Sequence, residues 1–172
     1  MADDRRADPE PGARAGVLAA RLKERIYATI TMIAVVVGLS LGEVGALGAV
    51  ATVVTTAVGL WLAAFVADQQ AHRTVHRRFA TGHELRRMLY VSSPLLSCAV
   101  GPAVLIALAA LDVLSLQAAL TIAAGVGVVS LFLWGCLGGL RMGGGTLTAV
   151  AAGTADAVIG VAVALVKAAA GH

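Results

Sequence analysis

The chain has 172 residues, 59% of them hydrophobic and only 13% charged, with a mean hydropathy of +0.87. Soluble domains are about half apolar and about a quarter charged, so the charges here are too few to clothe a water-facing surface. A soluble globular protein, a disordered chain and a nucleic-acid binder are excluded, and the composition is that of an integral membrane protein. The two cysteines, Cys98 and Cys136, sit in apolar runs without metal-type spacing and read as inert buried thiols. Arg outnumbers Lys 11 to 2, and Ala, Gly and Val dominate; this bias suggests a GC-rich bacterial genome and hence a bacterial plasma membrane.

Residues 1–25 are polar, with four acids and three arginines before Ala15 and prolines at 9 and 11. Residues 1–12 read as disordered, and 13–25 as a short interfacial helix whose Arg14, Arg21, Lys23 and Arg25 meet lipid headgroups. The first long apolar run begins at Ile26, too deep for a signal peptide. A spanning helix needs about 20 apolar residues, and five spans are predicted: 26–41, 44–67, 89–111, 113–137 and 146–170. Residues 42–48 read as a hairpin with Glu43 at its tip. Pro94 and Pro102 kink the third span. The glycines at 138, 139, 143, 144 and 145 flank Arg141 as a flexible link, with no strand or Lys-Ser/Thr context for a phosphate loop.

Five spans place twelve cations on one side: Arg5, Arg6, Arg14, Arg21, Lys23 and Arg25 in the N-terminal segment, Arg73, Arg77, Arg78, Arg86 and Arg87 in a basic loop between spans two and three, and Arg141. The other side holds Lys167, with Glu43 and Asp112 in its hairpins. The positive-inside rule then predicts a cytoplasmic N-terminus and an external C-terminus. Tyr27, Trp61, Phe65, Tyr90, Phe132 and Trp134 fall near the cytoplasmic ends of their spans, as an interfacial aromatic belt requires.

Asp156 stands near the middle of the fifth span, where an acid costs at least ~2.5–3.5 kcal/mol on insertion scales and marks an ion or proton path by default. Ala152, Asp156, Gly160 and Ala164 recur every four residues, a small-residue stripe that lets another helix approach. The alternative is a neutral Asp156 hydrogen-bonded across that contact to Ser97, Thr121 or Ser130. At the exit of span two, Asp68, His72 and His76 are spaced i, i+4, i+8 and share one face of a continued helix. Carboxylate and imidazole suit a divalent transition metal, although three residues over two turns reach one ion only in adjacent pairs. The alternative is that Arg73, Arg77, Arg78, Arg86 and Arg87 make this segment a basic face on anionic lipid. No Ser-His-Asp set, HExxH motif or pair of acids on one span appears in the sequence, so neither an enzyme nor a bound cofactor is expected.

Residues 27–38 (YATITMIAVVVG), Ser93-Pro94 with Gly101-Pro102, and 131–135 (LFLWG) with Arg141 and Gly160 resemble, over about 26–167, the vacuolar iron transporter family. That resemblance implies five spans, a cytoplasmic N-terminus, a second span continued into the cytoplasm, a homodimer and cation transport. The sequence departs from the family at its ion-path acids: Ile26-Tyr27 stand where the family has an Asp, 63–68 (AAFVAD) where it has a Gly-Glu pair, and its Glu-rich metal domain is replaced by a basic stretch. Residues 21–27 (RLKERIY) also resemble the start of small actinobacterial membrane proteins. The expectation is an all-α, five-span homodimeric bundle that carries a divalent metal or protons, with Asp156 as the mid-membrane carboxylate and Asp68 and His72 at the cytoplasmic mouth. The second reading is a non-transporting scaffold or accessory subunit that holds lipid or a partner with its basic loop.

Overall fold

A computed structural model describes residues 11–170, so residues 1–10 of the expected disordered stretch lie outside the described residues. The chain forms α1 (Pro11–Leu41), α2 (Ala46–His76), α3 (Gly82–Ser97), α4 (Val100–Ala110), α5 (Leu116–Arg141) and α6 (Gly145–Ala170). The described residues include no strand. Five rods are long and apolar enough to cross a membrane, with α3 and α4 together making the third, Gly82–Ala110. This is an all-α bundle of five membrane-length helices.

The expected separation between an interfacial helix at 13–25 and a first span at 26–41 does not exist: α1 is one helix of 31 residues. The reason is local. Pro11 opens the helix, a position where its missing N–H and fixed φ cost nothing. From there to Ile26 the chain is mostly Ala, Leu, Arg, Lys and Glu, strong helix formers with no second proline. At about 1.5 Å per residue, α1 and α2 are each about 46 Å long against a hydrocarbon core of about 30 Å, so both overhang it. The helices therefore continue past the boundaries expected for spans two and three. Arg73 belongs to α2, Arg86 and Arg87 to the first turns of α3, and the connection between them is only residues 77–81. The basic loop is thus a pair of charged helix ends.

The third rod breaks at Cys98 and Ala99 for a reason visible in its prolines. Pro102 has no N–H to give the Cys98 carbonyl, and its ring crowds that carbonyl. The Ala99 N–H instead turns back to the Leu96 carbonyl at 3.3 Å. Pro94 leaves the Tyr90 carbonyl without its usual donor, and the Ser93 hydroxyl donates to it at 2.9 Å. Hydroxyls serve the same purpose elsewhere: Thr29, Thr121 and Ser130 each donate to the carbonyl four residues back.

Helix α1 packs against α2, α3, α5 and α6, and α5 pairs most extensively with α6. Ile33 and Val36 of α1 are buried with Val53, Ile106, Leu120 and Leu131 at the centre. The α5–α6 contact is made by backbone. A Cβ placed on Gly139 would come within 2.5 Å of the Ala149 Cα, and one on Gly135 within 2.7 Å of the Gly153 Cα. The buried residues of α6 are Ala149, Gly153 and Gly160, so the small-residue stripe runs by steps of four and seven through these positions. The expected series Ala152, Asp156, Gly160, Ala164 lies on the same face: Gly160 is buried, and a Cβ on Gly135 would meet the Ala152 carbonyl oxygen at 2.8 Å and the Asp156 Oδ2 at 2.7 Å.

Lipid tails are as apolar as leucine, so this pairing rests on close packing. Gly139→Val should lower the melting temperature of the purified protein in detergent, by the ~1–3 kcal/mol typical of overpacking. Gly59→Ala, where an added Cβ meets nothing within 4 Å, should leave it unchanged or slightly raised. Equal melting of the two variants would show that the α5–α6 contact is loose.

Candidate functional site

The chemistry-bearing side chains gather at the end of the bundle where α2 stops and α3 begins. Helix α2 terminates at His76 because Arg77 adopts the left-handed conformation (φ 53°), its N–H returning to the Arg73 carbonyl at 2.9 Å. The turn is then pinned from both sides. The Gln69 carboxamide oxygen accepts the N–H of buried Ala80 at 3.1 Å. Arg78 makes a two-pronged contact to Glu84, with both nitrogens donating to the carboxylate oxygens at 2.7 and 2.6 Å.

Glu84 is three residues past Thr81, the residue that precedes the first turn of α3. This is the Thr-x-x-Glu spacing in which the carboxylate reaches back to the helix start. It lies in the polar first turn of α3, ahead of Leu89, where the sequence predicts that the third span begins. Hydrogen bonds from Arg78 hold its carboxyl down to about 2, with help from the Thr81 backbone and the nearby His72. The same bond raises the Arg78 guanidinium above its ordinary value.

His72 faces this pair. Its side chain is only 8% exposed, and Nε2 lies 3.5 Å from a Glu84 oxygen, too long for a hydrogen bond. That nitrogen is buried with no hydrogen-bond partner. The His76 ring sits against His72 at 4.4 Å between centroids. Together with Asp68, His83, Glu84 and Arg87, the two imidazoles line an open groove of about 480 Å³ whose far wall is Val17 and Ala20 of α1.

The expected metal set does not form. Asp68, His72 and His76 share this groove, but among the described residues there is no group of three or more His, Cys, Asp or Glu that could hold a metal ion. The physical reason is the rise of α2: each residue is four positions, about 6 Å, above the last, and Glu84 is already held by Arg78. Asp68 is half-buried and also borders a second groove with Lys23, Glu24 and Tyr27 of α1.

Asp156 stands elsewhere, near the middle of α6 and against α5: a Cβ on Gly135 would meet its Oδ2 at 2.7 Å. The hydroxyl partners considered for it are engaged otherwise. Ser97 donates to the Pro94 carbonyl, Thr121 to Gln117 and Ser130 to Val126. Helix α6 packs on α5 and α1, whereas α2 packs on α3, α4 and α1, so Asp68 and Asp156 lie on different helix contacts.

Two further contacts tie α1 into this end. Arg21 lies over the Tyr90 ring of α3 at 4.0 Å, and Arg25 over the Trp134 ring of α5 at 4.9 Å. Both are cation–π distances. They were not evident in the sequence, where the four residues appear as separate members of a basic segment and an aromatic belt. The Arg78–Glu84 pair was missed as well; Thr81-x-x-Glu84 signals only the carboxylate's return to the helix start, and nothing in the spacing points to Arg78. No protein-family model matches this chain, nor does any curated protein or solved structure.

Because the Glu84 carboxyl is held below the ordinary glutamate value of about 4.3, its bond to Arg78 stabilises the turn above that pH and is lost as pH falls towards about 2. Amide exchange at residues 77–84 should therefore accelerate between about pH 4.5 and pH 2 relative to the pH-corrected intrinsic rate. In Glu84→Gln this acid-dependent step should be missing.

Proposed function

We propose that this multi-pass membrane protein is a scaffold or accessory subunit whose arginine-rich end lies on anionic headgroups. What supports this reading is the gathering of charge at one end. Arg73, Arg77, Arg86 and Arg87 are exposed around the α2–α3 turn, Arg14 lines a groove beside them, and Arg141 shares another with Arg21 and Arg25. Lys167, by contrast, lies over Gly38 near the other end of α1. A cation near an anionic leaflet contributes about 1 kcal/mol each. By the positive-inside rule the arginine-rich end is cytoplasmic in a bacterial plasma membrane, and five crossings put the C-terminus outside.

In nanodiscs of phosphatidylcholine with increasing phosphatidylglycerol, the melting temperature should rise with the anionic fraction. High salt should shrink that rise, since exposed charges are screened, and so should Arg73→Gln with Arg77→Gln. Equal melting in neutral and anionic discs would overturn the reading.

A second reading, transport of protons or a divalent cation, is favoured by one observation. Asp156 has no hydrogen bond or ion pair to any described residue, and an unpaired acid at mid-membrane marks an ion path by default. The resemblance to the vacuolar iron transporter family, with its homodimer, points the same way. In proteoliposomes reporting internal pH and Fe²⁺ or Mn²⁺ entry, this reading requires a flux in the wild type that collapses in Asp156→Asn. Two folded, silent proteins would remove it.

A further inference from the structure

We infer that the groove between the N-terminal half of α1 and the first turns of α3 is a binding site for one anionic phospholipid, a more specific claim that rests on the headgroup reading above. The groove has a volume of about 530 Å³ and is walled by Arg14, Val17 and Leu18 from α1 and by His83, Arg86, Arg87 and Tyr90 from α3. Among the described residues no acidic side chain lines it. Glu84, the acid nearest in sequence, borders the neighbouring groove and is held by Arg78.

The lining is layered. Arg14 and Leu18 are one turn apart on α1, as are Arg86 and Tyr90 on α3, so each helix presents a basic residue and then, one turn deeper towards the bundle, an apolar or aromatic one. A cationic rung above an apolar rung is the pattern of a phospholipid: phosphodiester first, then glycerol and the upper acyl chain. A free phosphate would satisfy only the upper rung and leave Leu18 and Tyr90, which are 58% and 51% exposed, uncovered. Guanidinium groups match phosphate geometry with paired donors. The lower wall is pre-set, because Arg21 lies on the Tyr90 ring at 4.0 Å and fixes it before any lipid arrives.

The test is native mass spectrometry of the full chain released from micelles containing equimolar phosphatidylglycerol and phosphatidylcholine. The wild type should retain one phosphatidylglycerol per chain in preference to phosphatidylcholine. Arg86→Gln with Arg87→Gln should retain it roughly ten-fold less, and so should Leu18→Asp, which places an acid in the lower rung from the other helix. Arg73→Gln with Arg77→Gln should retain it like the wild type. Circular dichroism checks that each variant is folded, and the Leu18 variant keeps the test valid where the arginine pair disturbs α3.

Equal loss in the Arg73/Arg77 and Arg86/Arg87 variants would show diffuse surface binding and overturn the site while leaving the headgroup reading standing. Displacement of the lipid by inorganic phosphate would assign the groove to a soluble anion and overturn the lipid. If anionic nanodiscs also failed to stabilise the wild type, the headgroup reading itself would fall.

Discussion

Hydrocarbon offers a peptide group no hydrogen-bond partner, and the layout of this chain follows from that constraint. Every backbone donor and acceptor at membrane depth has to be satisfied inside its own helix, which leaves five long rods and no strand among the described residues. The exceptions show the same pressure. Where Pro94 withdraws a donor, the Ser93 hydroxyl supplies one. Where Pro102 withdraws another, the rod breaks at Cys98 and Ala99 and its carbonyls are served by three-residue turns and by the Cys98 thiol, which donates to Leu95 at 3.0 Å. Threonines and serines that would carry an unpaired hydroxyl into lipid fold it back onto their own helix. Helix-to-helix association is left to packing, and packing without a hydrophobic drive needs small residues. That is why α5 and α6 meet through glycine against alanine and glycine, at Gly139–Ala149 and Gly135–Gly153.

Asp156 is set within that approach. Its carboxyl occupies the space beside Gly135 that any larger residue would fill, so the glycine and the acid fit together as one unit. A carboxyl wedged into a backbone-close contact, away from the groove that holds Asp68, is arranged differently from a series of acids along a channel. The scaffold reading takes its weight from that separation, and the transport reading from the missing hydrogen bond at the same carboxyl. Both depend on how much water reaches one point of the α5–α6 contact.

Much of the architecture was readable in advance from one-dimensional signals: runs of apolar residues, two prolines in the third rod, and glycines at the hairpins. What escaped depended on three dimensions. The continuation of α1 through 13–25 was obscured because polarity changes at Ile26 while helix propensity does not. Hydropathy marks where lipid begins, and it carries no information on where a helix does. The expected stripe on α6, Ala152, Asp156 and Gly160, does meet α5, and what escaped is that Ala149 and Gly153 are buried more deeply beside it; an all-small helix offers several stripes of equal quality, and only the partner helix selects which is buried deepest. The proposed metal triad on α2 had the right face, and Asp68, His72 and His76 do share a groove. The pitch of the helix keeps them a turn apart, and Arg78, contributed by the turn, holds Glu84, the carboxylate that approaches His72.

Charge placement connects these features. Ions are expensive in hydrocarbon and contribute favourably beside anionic headgroups, so a chain with few charges gains most by stacking them where its helices overhang the membrane. The overhang of α1 is held by aromatics that also belong at that depth, Tyr90 and Trp134, each with an arginine on its face. The rings give α1 two fixed points, on α3 and on α5, and the arginines that use them, Arg21 and Arg25, are half-buried. Those left around the α2–α3 turn, Arg73, Arg77, Arg86 and Arg87, remain exposed. The division is between cations that build this end of the bundle and cations that it presents, although Arg73 does both, donating to the Gln70 carboxamide at 2.6 Å and lying over the Phe79 ring at 5.5 Å. The presented set lies on two helices whose relative position is fixed by the Arg78–Glu84 pair and the Gln69–Ala80 bond. The arginine pattern is therefore held by the fold, as the proposed lipid site requires.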